Sequence, residues 1–530
     1  MTTHTGASAL VSALAAHGVD TVFGIPGTHN LPIYAELAKQ GIRHISPRHE
    51  QGAGFAADGY ARVSHKPAIV VATIGPAILN AATAAAQSYS DSIPVLLISP
   101  GMPTDHPARG NGLLHEVKDQ RAAMAAVTAG SDRVGSVADI PIAVAQAFAD
   151  LTSGRPRPRH LEIPLDLLDR VEQAPTPTPL PTTRPTPPNP TNAMALLASA
   201  TKIGIIAGGG ARTAAHQLRA LAERLAAPVV TTANGKAVLP EDHPLSLRAG
   251  LHHPSVARFI ADCEVVVAIG TELSPADCWS GPLPLPRLIR IDIDPTAAVT
   301  NAIPEIPLIG DAATVLEALT PALPQRIDTG WWTDHQSAIR AEAATEGAPW
   351  LPLLAAVHDA LGRDGILTAD SAMVCYYGAL SNLPRYRPST FLYPTGLGTL
   401  GYGLPAAIGA SLAAPDRRVL ALHGDGGFLF TAPELAAAAQ LGLPLPVVVV
   451  DNGGYGEIRA EMRGRGDSVH AVDFPPTDFA VLGTALGCHG VRLDEVDQLP
   501  EVLERAYAAD RPTVIHIHSQ SQEADEPGAV

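Results

Sequence analysis

Two stretches in the last third of the chain decide the fold: residues 418–427, RVLALHGDGG, and residues 446–456, PVVVVDNGGYG. Each is a short apolar run that ends in glycines, which is typical of a buried strand followed by a tight turn. The first turn carries Asp425 and the second carries Asn452. Because parallel strands end at the same edge of a sheet, and open α/β sheets bind ligands there, we expect both side chains to face one ligand site.

These two turns predict a magnesium site beside a phosphate group. Mg²⁺ prefers hard oxygen ligands and keeps phosphate oxygens and water in its shell. The predicted protein ligands are Asp425, Asn452 and a backbone carbonyl near Gly454. Either turn alone is usually no more than a tight turn after a strand, but the two together favour a site. Glycines let backbone N–H groups approach a phosphate closely, and the candidates are Gly424, Gly426 and Gly427.

The bulk composition fits a soluble globular protein, with 46% hydrophobic and 17% charged residues. A length of 530 residues predicts two or three domains. The net charge of -16 disfavours nucleic acid and anionic membranes as partners, since both bind basic surfaces, and favours small molecules. The four cysteines form no CxxC pair, and the chain shows neither a signal peptide nor a long apolar run. We therefore expect a cytoplasmic protein.

Short apolar runs alternate with Ala-rich amphipathic segments, which predicts βαβ units and parallel sheets. We predict an α/β fold with three doubly wound parallel-sheet domains, at residues 1–172, 191–325 and 345–519. A proline-rich linker (173–190) follows the first domain, and an acidic tail (520–530) ends the chain. The predicted strands are residues 21–24, 68–73, 94–99, 203–207, 228–231, 264–270, 288–292, 366–370, 419–423, 446–450 and 513–517.

Beyond these patterns, the chain resembles the thiamine diphosphate enzymes, a family that includes acetolactate synthases, benzoylformate decarboxylase and pyruvate decarboxylase. The GDG run followed by Asn after the next strand is similar to the family's cofactor motif, and residues 48–62, RHEQGAGFAADGYAR, are similar to its glutamate segment. The resemblance implies thiamine diphosphate and Mg²⁺ as cofactors, with a pyrimidine-binding first domain and a diphosphate-binding third domain.

The resemblance also implies that Glu50 is the acid that activates the cofactor, through a hydrogen bond to the aminopyrimidine ring. For this work we expect Glu50 to lie in a dry pocket with a raised pKa, because desolvation disfavours the carboxylate. Without the resemblance, Glu50 would be interpreted as a surface acid at the start of a helix.

Residues 393–405, YPTGLGTLGYGLP, resemble the family segment that wraps the pyrimidine ring. The resemblance implies that the Gly398 carbonyl accepts the cofactor's exocyclic amine and that Leu400 wedges between its two rings. Further cofactor contacts implied in the same way are Thr73, Ser371 and Tyr455.

Several stretches are similar to decarboxylases of 5-guanidino-2-oxopentanoate (2-ketoarginine), among them residues 19–27 (VDTVFGIPG) and 424–435 (GDGGFLFTAPEL). Leu429 stands where acetolactate synthases have Gln, and Met373 and Val374 replace a His–Gln pair. This resemblance implies non-oxidative decarboxylation of a 2-oxo acid to an aldehyde and CO₂. The alternative is an acetolactate-synthase-like carboligase that joins the same intermediate to a second carbonyl compound.

Two loops and one helix supply candidates for the substrate site. By resemblance, the loops at residues 24–30 (GIPGTHN) and 113–116 (LLHE) face the cofactor, so His29 and His115 are candidate catalytic residues. Either could relay a proton, although a lone histidine is more often structural. Thr28 is a candidate substrate contact. A guanidinium substrate requires a carboxylate, and the candidates just after the magnesium turn are Glu457 and Glu461, whose default interpretation is exposed helical acids.

The predicted middle domain carries a glycine run, residues 208–210, after a strand, in the region where relatives bind FAD or other nucleotides. GGGAR is not GxGxxG, so we expect no obligatory FAD and disfavour an NAD(P) oxidoreductase. A scaffold protein that has lost activity is disfavoured by Glu50, Asp425 and Asn452 together. The resemblance implies a homo-oligomer, dimer or tetramer, with active sites between subunits.

Overall fold

The computed structural model describes residues 2–107, 109–180, 186–279 and 281–518. These residues divide into two compact units. The first contains residues 2–180, 396–399 and 405–415, and the second contains residues 186–395, 400–404 and 416–518. Residues 181–185 of the predicted linker and the predicted tail at 520–530 lie outside the described residues.

The first unit is built on a six-stranded parallel sheet with the order β3-β2-β4-β5-β7-β6. In chain order the strands of the whole unit are β1 (Thr2–Thr5), β2 (Thr21–Gly24), β3 (Arg43–Ile45), β4 (Ala68–Val71), β5 (Val95–Gly101), β6 (Ser131–Arg133), β7 (Arg159–Pro164) and β8 (Val171–Ala174). Strands β2 to β7 form the six-stranded sheet. Strands β4 and β5 are buried along their whole length, as expected when helices cover both faces of a parallel sheet. Strands β1 and β8 pair with each other in antiparallel fashion, so residues 173 and 174 of the predicted linker belong to a strand.

Eight helices of the first unit connect these strands and cover the sheet. They are α1 (Gly6–Ala16), α2 (Leu31–Lys39), α3 (Glu50–Ser64), α4 (Pro76–Asn80), α5 (Ala82–Asp91), α6 (Gln120–Ala125), α7 (Ile140–Ser153) and α8 (Leu165–Asp169). Residues 405–413 of a much later helix, Gly403–Ala413, pack against α3. A side chain at Gly59 would collide with the backbone of Ala406, and one at Gly409 with the backbone of Ala56. Glycine is therefore required where these two helices cross.

The second unit contains two parallel six-stranded sheets, of which the first belongs to the middle of the chain. Its strands are β9 (Ile203–Ala207), β10 (Val229–Thr231), β11 (Ser246–Ala249), β12 (Val265–Ile269), β13 (Arg287–Asp292) and β14 (Ile306–Ile309). The order β11-β10-β9-β12-β13-β14 is that of the dinucleotide-binding α/β fold. The helices of this part are α9 (Thr191–Ser199), α10 (Ala215–Leu225), α11 (Pro254–Asp262), α12 (Ala312–Leu319) and α13 (Thr333–Glu346).

The other sheet has the order β16-β15-β17-β18-β20-β19. Its strands are β15 (Ile366–Ala369), β16 (Phe391–Leu392), β17 (Val419–Gly424), β18 (Pro446–Asp451), β19 (His489–Leu493) and β20 (Thr513–His518). Its helices are α14 (Leu351–Leu361), α15 (Leu380–Asn382), α17 (Asp425–Phe428), α18 (Glu434–Gln440), α19 (Gly456–Gly464), α20 (Phe479–Ala485) and α21 (Leu499–Tyr507), with a π-helical turn at Val374–Ala379. Helix α16 (Gly403–Ala413) begins in this unit, and its residues from 405 onward belong to the first unit. Short 3₁₀ helices elsewhere span Val137–Asp139, Gly209–Ala214, Ala297–Val299, Thr320–Ala322, Ala348–Trp350 and Val496–Gln498.

The predicted fold class is confirmed: three α/β regions each contain a parallel six-stranded sheet flanked by helices. All eleven strands predicted from the sequence are present, with ends that differ by two residues at most. In the described part of the chain, every helix is too short or too polar to span a lipid bilayer.

Candidate functional site

Three oxygen atoms converge at the carboxyl ends of β17 and β18. The Oδ1 atom of Asn452 lies 3.2 Å from Asp425 Oδ1 and 2.8 Å from the carbonyl oxygen of Gly454. Oxygens this close repel one another unless a positive group lies among them, or unless the amide turns round so that its Nδ2 donates to both. Oxygens bonded to Mg²⁺ at roughly 2.0–2.1 Å lie about 3.0 Å apart along an octahedral edge. The arrangement therefore fits Mg²⁺, with the three predicted ligands side by side.

The carboxylate of Asp425 is 2% exposed and accepts a hydrogen bond from the Gly454 N–H at 2.6 Å. Burial, followed by the charge of Asp451, raises the pKa of Asp425 to about 6. A buried carboxylate close to a second carboxylate is stabilised by a bound cation, because the cation offsets both desolvation and repulsion. The electrostatics of the turn therefore agree with its geometry.

The carboxylate of Asp451, which directly precedes Asn452, is hydrogen-bonded to groups outside this cluster of three oxygens. Its Oδ2 lies 2.9 Å from His516 Nε2 and its Oδ1 accepts from the Gly453 N–H at 2.9 Å. Burial opposes its ionisation, but these hydrogen bonds outweigh burial and lower the pKa of Asp451. Asn452 is therefore the residue of this pair that faces Asp425.

The glycine turn after β17 is tightly enclosed. A side chain at Gly426 would lie 2.9 Å from the ring of Tyr455, and one at Gly427 would collide with the carboxylate of Asp370. The Tyr455 ring thus covers the backbone of the turn that the sequence assigns to a phosphate.

Asp370 and His423 were not identified from the sequence, although both lie in this site. Asp370 is fully buried at the end of β15, where it accepts hydrogen bonds from the N–H groups of Gly401 and Tyr402 at 3.1 and 3.0 Å. Its Oδ2 is also 3.0 Å from His423 Nδ1. Asp370 therefore holds the turn that follows Leu400. An acid directly after a buried strand, as at Asp425, is the signal that could have revealed it.

Glu50 is the first residue of α3, whose start is capped by His49 accepting from the Gln51 N–H. The Glu50 carboxylate accepts a hydrogen bond from Asn80 Nδ2 at 3.0 Å. The side chain is half-buried in this single chain, so the dry pocket expected from the sequence is not complete here. Burial, and then the Glu50 charge, raise the pKa of the neighbouring Tyr34.

The glycine-rich run around Gly398 is fastened to the first sheet's unit. The Gly396 N–H donates to Asp91 Oδ1 at 3.0 Å, and Thr399 Oγ1 donates to Gln87 Oε1 at 2.9 Å. Gly398 lies exposed between these anchors with a φ of 65°. Its carbonyl is thus carried on a loop whose two flanks are both fixed to α5.

His29 and His115 lie together, as their shared candidacy requires. Their rings are perpendicular with centroids 5.1 Å apart. In each ring Nδ1 is buried and has no hydrogen-bond partner among the described residues. Burial, followed by the neighbouring His115, lowers the pKa of His29. His115 has a φ of 67°, and the Glu116 carboxylate beside it collects the N–H groups of Asn111, Gly112 and Leu113.

Two threonines lie at the carboxyl edge of the first sheet. Thr73, just after β4, is 8% exposed, and its buried hydroxyl has no hydrogen-bond partner in the described structure. Thr28, in the loop after β2, is exposed. A buried hydroxyl without a partner is costly and suits a ligand contact.

The two acids that follow the turn at Asn452 have different surroundings. Glu457 accepts a hydrogen bond from Tyr377 at 2.8 Å and from Tyr376 at 3.1 Å. Glu461 is exposed, and its carboxylate makes no hydrogen bond or ion pair within the described ranges. The structure therefore separates two residues that the sequence left equivalent.

The remaining candidate residues lie near the sheet β15–β20, which we call the third sheet, and their side chains make few contacts. Ser371 is half-buried and makes no side-chain hydrogen bond in the described part of the chain. Leu429 is 40% exposed. The Met373 sulfur lies 3.8 Å from Asn452 Nδ2 and fills the position next to the amide.

The glycine run of the middle domain has a structural explanation. The Gly208 N–H donates to the Ile269 carbonyl and the Gly210 N–H to the Gly270 carbonyl. A side chain at Gly210 would lie 2.8 Å from the Gly270 backbone. Two of the three N–H groups are thus bound within the protein.

These sites lie on the domains of one known family. The models for the N-terminal thiamine pyrophosphate binding domain, the central domain and the C-terminal thiamine pyrophosphate binding domain match residues 4–125, 191–319 and 372–517. The chain belongs to the thiamine pyrophosphate enzymes, and the family resemblance of the sequence is confirmed. It is therefore an enzyme with the domains that bind thiamine diphosphate.

Particular relatives match almost the whole chain. The protein named probable 2-ketoarginine decarboxylase of Pseudomonas aeruginosa is 43% identical over 97% of this chain and 94% of its own length. The acetolactate synthase isozyme 2 large subunit of Escherichia coli is 34% identical, covering 97% and 95%. A probable acetolactate synthase large subunit of Methanocaldococcus jannaschii is 33% identical, covering 98% and 92%.

Proposed function

We propose that this enzyme uses thiamine diphosphate and Mg²⁺ to decarboxylate 5-guanidino-2-oxopentanoate to an aldehyde and CO₂, without oxidation. The observation that carries the choice of reaction is the 43% identity, over nearly the full length, to a protein named as a 2-ketoarginine decarboxylase, against 34% for the acetolactate synthase of Escherichia coli. The higher identity favours decarboxylation over carboligation.

In this proposal Mg²⁺ is held by Asp425, Asn452 and the carbonyl of Gly454. The support is the convergence of their three oxygens at separations suited to one octahedral ion. Gly424, Gly426 and Gly427 would form the part of the turn next to the phosphate, with Ser371 and Tyr455 as further contacts. Asp370 positions the turn after Leu400 and takes no part in metal binding.

When bound, thiamine diphosphate supplies a carbon nucleophile and an electron sink for the electrons left by CO₂. Glu50 provides the carboxyl group that hydrogen-bonds the pyrimidine ring, and Asn80 orients it. Gly398, through its carbonyl, and Leu400 would hold the ring end of the cofactor, and Thr73 would offer its unpaired hydroxyl.

His29 and His115 move protons beside the reacting carbon. Their buried Nδ1 atoms have no hydrogen-bond partner among the described residues, so each ring can bind the substrate carboxylate or exchange a proton with a ligand. The lowered pKa of His29 keeps that ring neutral and able to accept a proton near neutral pH. Thr28 lies exposed in the same loop and is a second substrate contact.

The half-exposed carboxylate of Glu50 supports an active site that is completed by a second copy of the chain. We infer a homodimer or tetramer in the cytoplasm, with the first domain of one subunit facing the third domain of another. Burial in that interface would give Glu50 the dry surroundings that its chemistry requires.

A carboligase is the second candidate, because acetolactate synthases are also relatives over the full length. The two reactions share every residue named above and differ only in the acceptor of the final carbon–carbon or carbon–hydrogen bond. Products therefore separate them where residues do not.

The test is a panel of 5-guanidino-2-oxopentanoate, pyruvate and benzoylformate, given to the purified enzyme with thiamine diphosphate and Mg²⁺. CO₂ and carbonyl products are measured together. We expect CO₂ and free aldehyde in equal amounts, with the guanidino substrate preferred. A hydroxyketone or acetohydroxy acid as the main product would establish the carboligase instead, and no CO₂ from any substrate would overturn both.

A further inference from the structure

Both oxygens of the Glu457 carboxylate accept hydrogen bonds from neighbouring tyrosines. Tyr377 donates to Oε1 at 2.8 Å and Tyr376 donates to Oε2 at 3.1 Å. Burial first, and then Glu457, raise the pKa of both tyrosines, so their hydroxyls remain protonated donors. A carboxylate has about four lone-pair positions. Each Glu457 oxygen therefore keeps one position for another donor.

Tyr376 and Tyr377 both lie in the π-helical turn Val374–Ala379. Adjacent residues of a regular α-helix point in directions about 100° apart, whereas here both hydroxyls reach one carboxylate. Single π-helical turns inside helices are frequent at functional sites. The turn thus builds a carboxylate of fixed orientation.

Aromatic surface lies next to this carboxylate. The Trp279 ring is 5.7 Å from that of Tyr377 and 6.0 Å from that of Tyr376, edge to face, while its own stacking partner is His252 at 3.8 Å. Trp279 is 43% exposed. A planar guanidinium is bound best by a carboxylate in bidentate fashion with aromatic rings alongside.

The charge around Glu457 is not neutralised within the described part of the chain. No Lys, Arg or His there forms an ion pair with Glu457. Arg459, two residues later, pairs with Asp473 at 2.7 Å. Glu346 and Glu461 act on Tyr377 as further negative charges. The site therefore attracts a cation from outside the protein.

The carboxylate also lies on the way out of the magnesium turn. Glu457 is in the first turn of α19, five residues after Asn452. Met373, one turn before the tyrosines, touches the Asn452 amide. Glu457 thus closely follows the proposed Mg²⁺ ligand Asn452 in the chain, and the tyrosines closely follow a residue that contacts Asn452.

We propose that Glu457, held by Tyr376 and Tyr377 beside Trp279, binds the guanidinium end of the substrate as a bidentate ion pair and selects a cationic 2-oxo acid. This inference rests on the proposed function, because it assigns the far end of the same substrate. Glu461, exposed and without a hydrogen bond to its carboxylate, has no part in it.

The first experiment compares 5-guanidino-2-oxopentanoate with its uncharged isostere, 5-ureido-2-oxopentanoate, as substrates of the holoenzyme. In Glu457→Gln we expect the ratio of their kcat/KM values to fall about 10- to 100-fold, as for loss of a hydrogen bond to a charged group. A structural defect would lower both substrates alike and leave the ratio unchanged. An unchanged ratio would overturn the inference.

Two further sets of variants sharpen the test. Tyr376→Phe and Tyr377→Phe each remove one donor to the carboxylate and should lower the ratio about 2- to 10-fold, mainly through KM. They also test the inference if Glu457→Gln does not fold. Glu461→Gln is the matched control on the same helix and should keep the ratio. If the ratio of the kcat/KM values fell in Glu461→Gln and stayed unchanged in Glu457→Gln, Glu461 would be the residue that binds the cation, and the inference would be wrong.

Calorimetric titration of 4-guanidinobutanoate into the holoenzyme separates this inference from the proposed reaction. We expect binding that weakens about 10- to 100-fold in Glu457→Gln. Such binding without CO₂ release from any 2-oxo acid would support the cation site and reject the reaction. CO₂ release from the guanidino substrate, with binding and substrate ratio insensitive to Glu457, would support the reaction and reject the site.

Discussion

The first and third sheets have the same strand order but different chemistry at their carboxyl edges. When the strands are numbered within each sheet, both follow the order second, first, third, fourth, sixth, fifth. In the third sheet, three central strands lead directly into acids, Asp370, Asp425 and Asp451. In the first sheet the corresponding central strands lead into uncharged residues, including Thr73, and the acid Glu50 arrives on a helix after an edge strand.

This difference teaches that topology fixes where a ligand binds, while the residue after each strand fixes what is bound. Acids at neighbouring strand ends gather oxygens for a cation and, through it, a phosphate. Uncharged strand ends leave a less polar edge, in which a single carboxyl group and two histidines can exchange protons. The predictions below test that division of labour.

The largest effect is expected from Glu50→Gln. The amide cannot provide the carboxyl proton, so kcat should fall by about 10²- to 10⁴-fold, while the affinity for thiamine diphosphate changes little. The measurement is CO₂ release together with exchange of the cofactor's C2 proton for deuterium, followed by NMR after acid quench. Glu36→Gln, an acid of the same unit that pairs with Lys39, is the control. Undiminished C2 exchange in Glu50→Gln would remove the proposed role.

Substitutions at the end of the third sheet should weaken the binding of Mg²⁺. Asp425→Asn and Asn452→Ala each remove an oxygen ligand or its charge, and the Mg²⁺ concentration for half-maximal activity should rise about 100-fold or more. The rise in Tm that Mg²⁺ and thiamine diphosphate give the wild type should shrink accordingly. Asp467→Asn, an exposed acid paired with Arg465, should behave as wild type. An unaltered Mg²⁺ requirement in both variants would contradict the metal assignment.

A moderate effect is expected from His29→Asn in the first unit. Loss of a positioned proton acceptor should lower kcat about 10²-fold and leave the Mg²⁺ requirement unchanged. Steady-state kinetics at several Mg²⁺ concentrations measure both. A variant with normal kcat and a raised Mg²⁺ requirement would show that the two edges do not divide the work as described.

The smallest effect is a shift in the pH dependence of the activity that remains in His115→Gln, after the loss of kcat expected for a residue that moves protons. His115 helps to lower the pKa of His29, so neutral His29 persists to lower pH than usual, and activity is lost as pH falls through that lowered pKa. Removing His115 should raise the pKa of His29 and move the acid limb of kcat to higher pH, by less than about one unit. The kcat–pH profile measures it. A shift to lower pH would reverse the proposed coupling.

The sequence predicted most of the buried strands and the residues at their ends, because both leave a local signal. It missed the buried strand β7, whose polar residues interrupt the apolar run. The apolar runs before Asp425 and Asn452 are such cases. The edge strands β3, β6 and β19 were not predicted, since their exposed residues break the apolar pattern. The antiparallel pair of β1 and β8 was hidden in the same way, because its partners lie far apart in the chain.

In the candidate site, the residues missed by sequence analysis are those whose role depends on distant partners. Nothing near Tyr376 and Tyr377 in the chain indicates that they meet Glu457, because Glu457 lies on a helix that follows the next three strands. Glu457 and Glu461 differ only through that contact. The prediction of a dry pocket around Glu50 likewise concerned surroundings that a single chain does not provide.

The crossing of α3 and α16 at Gly59 and Gly409 has a consequence for how the protein is made. Its two partners lie on opposite sides of the entire middle domain in the chain. During synthesis, residues 2–180 therefore leave the ribosome before the segment that packs against Ala56 and Gly59. This packing can form only after most of the polypeptide has been synthesised. The completion of this helix crossing and the formation of the sheet β15–β20 should therefore occur at nearly the same time.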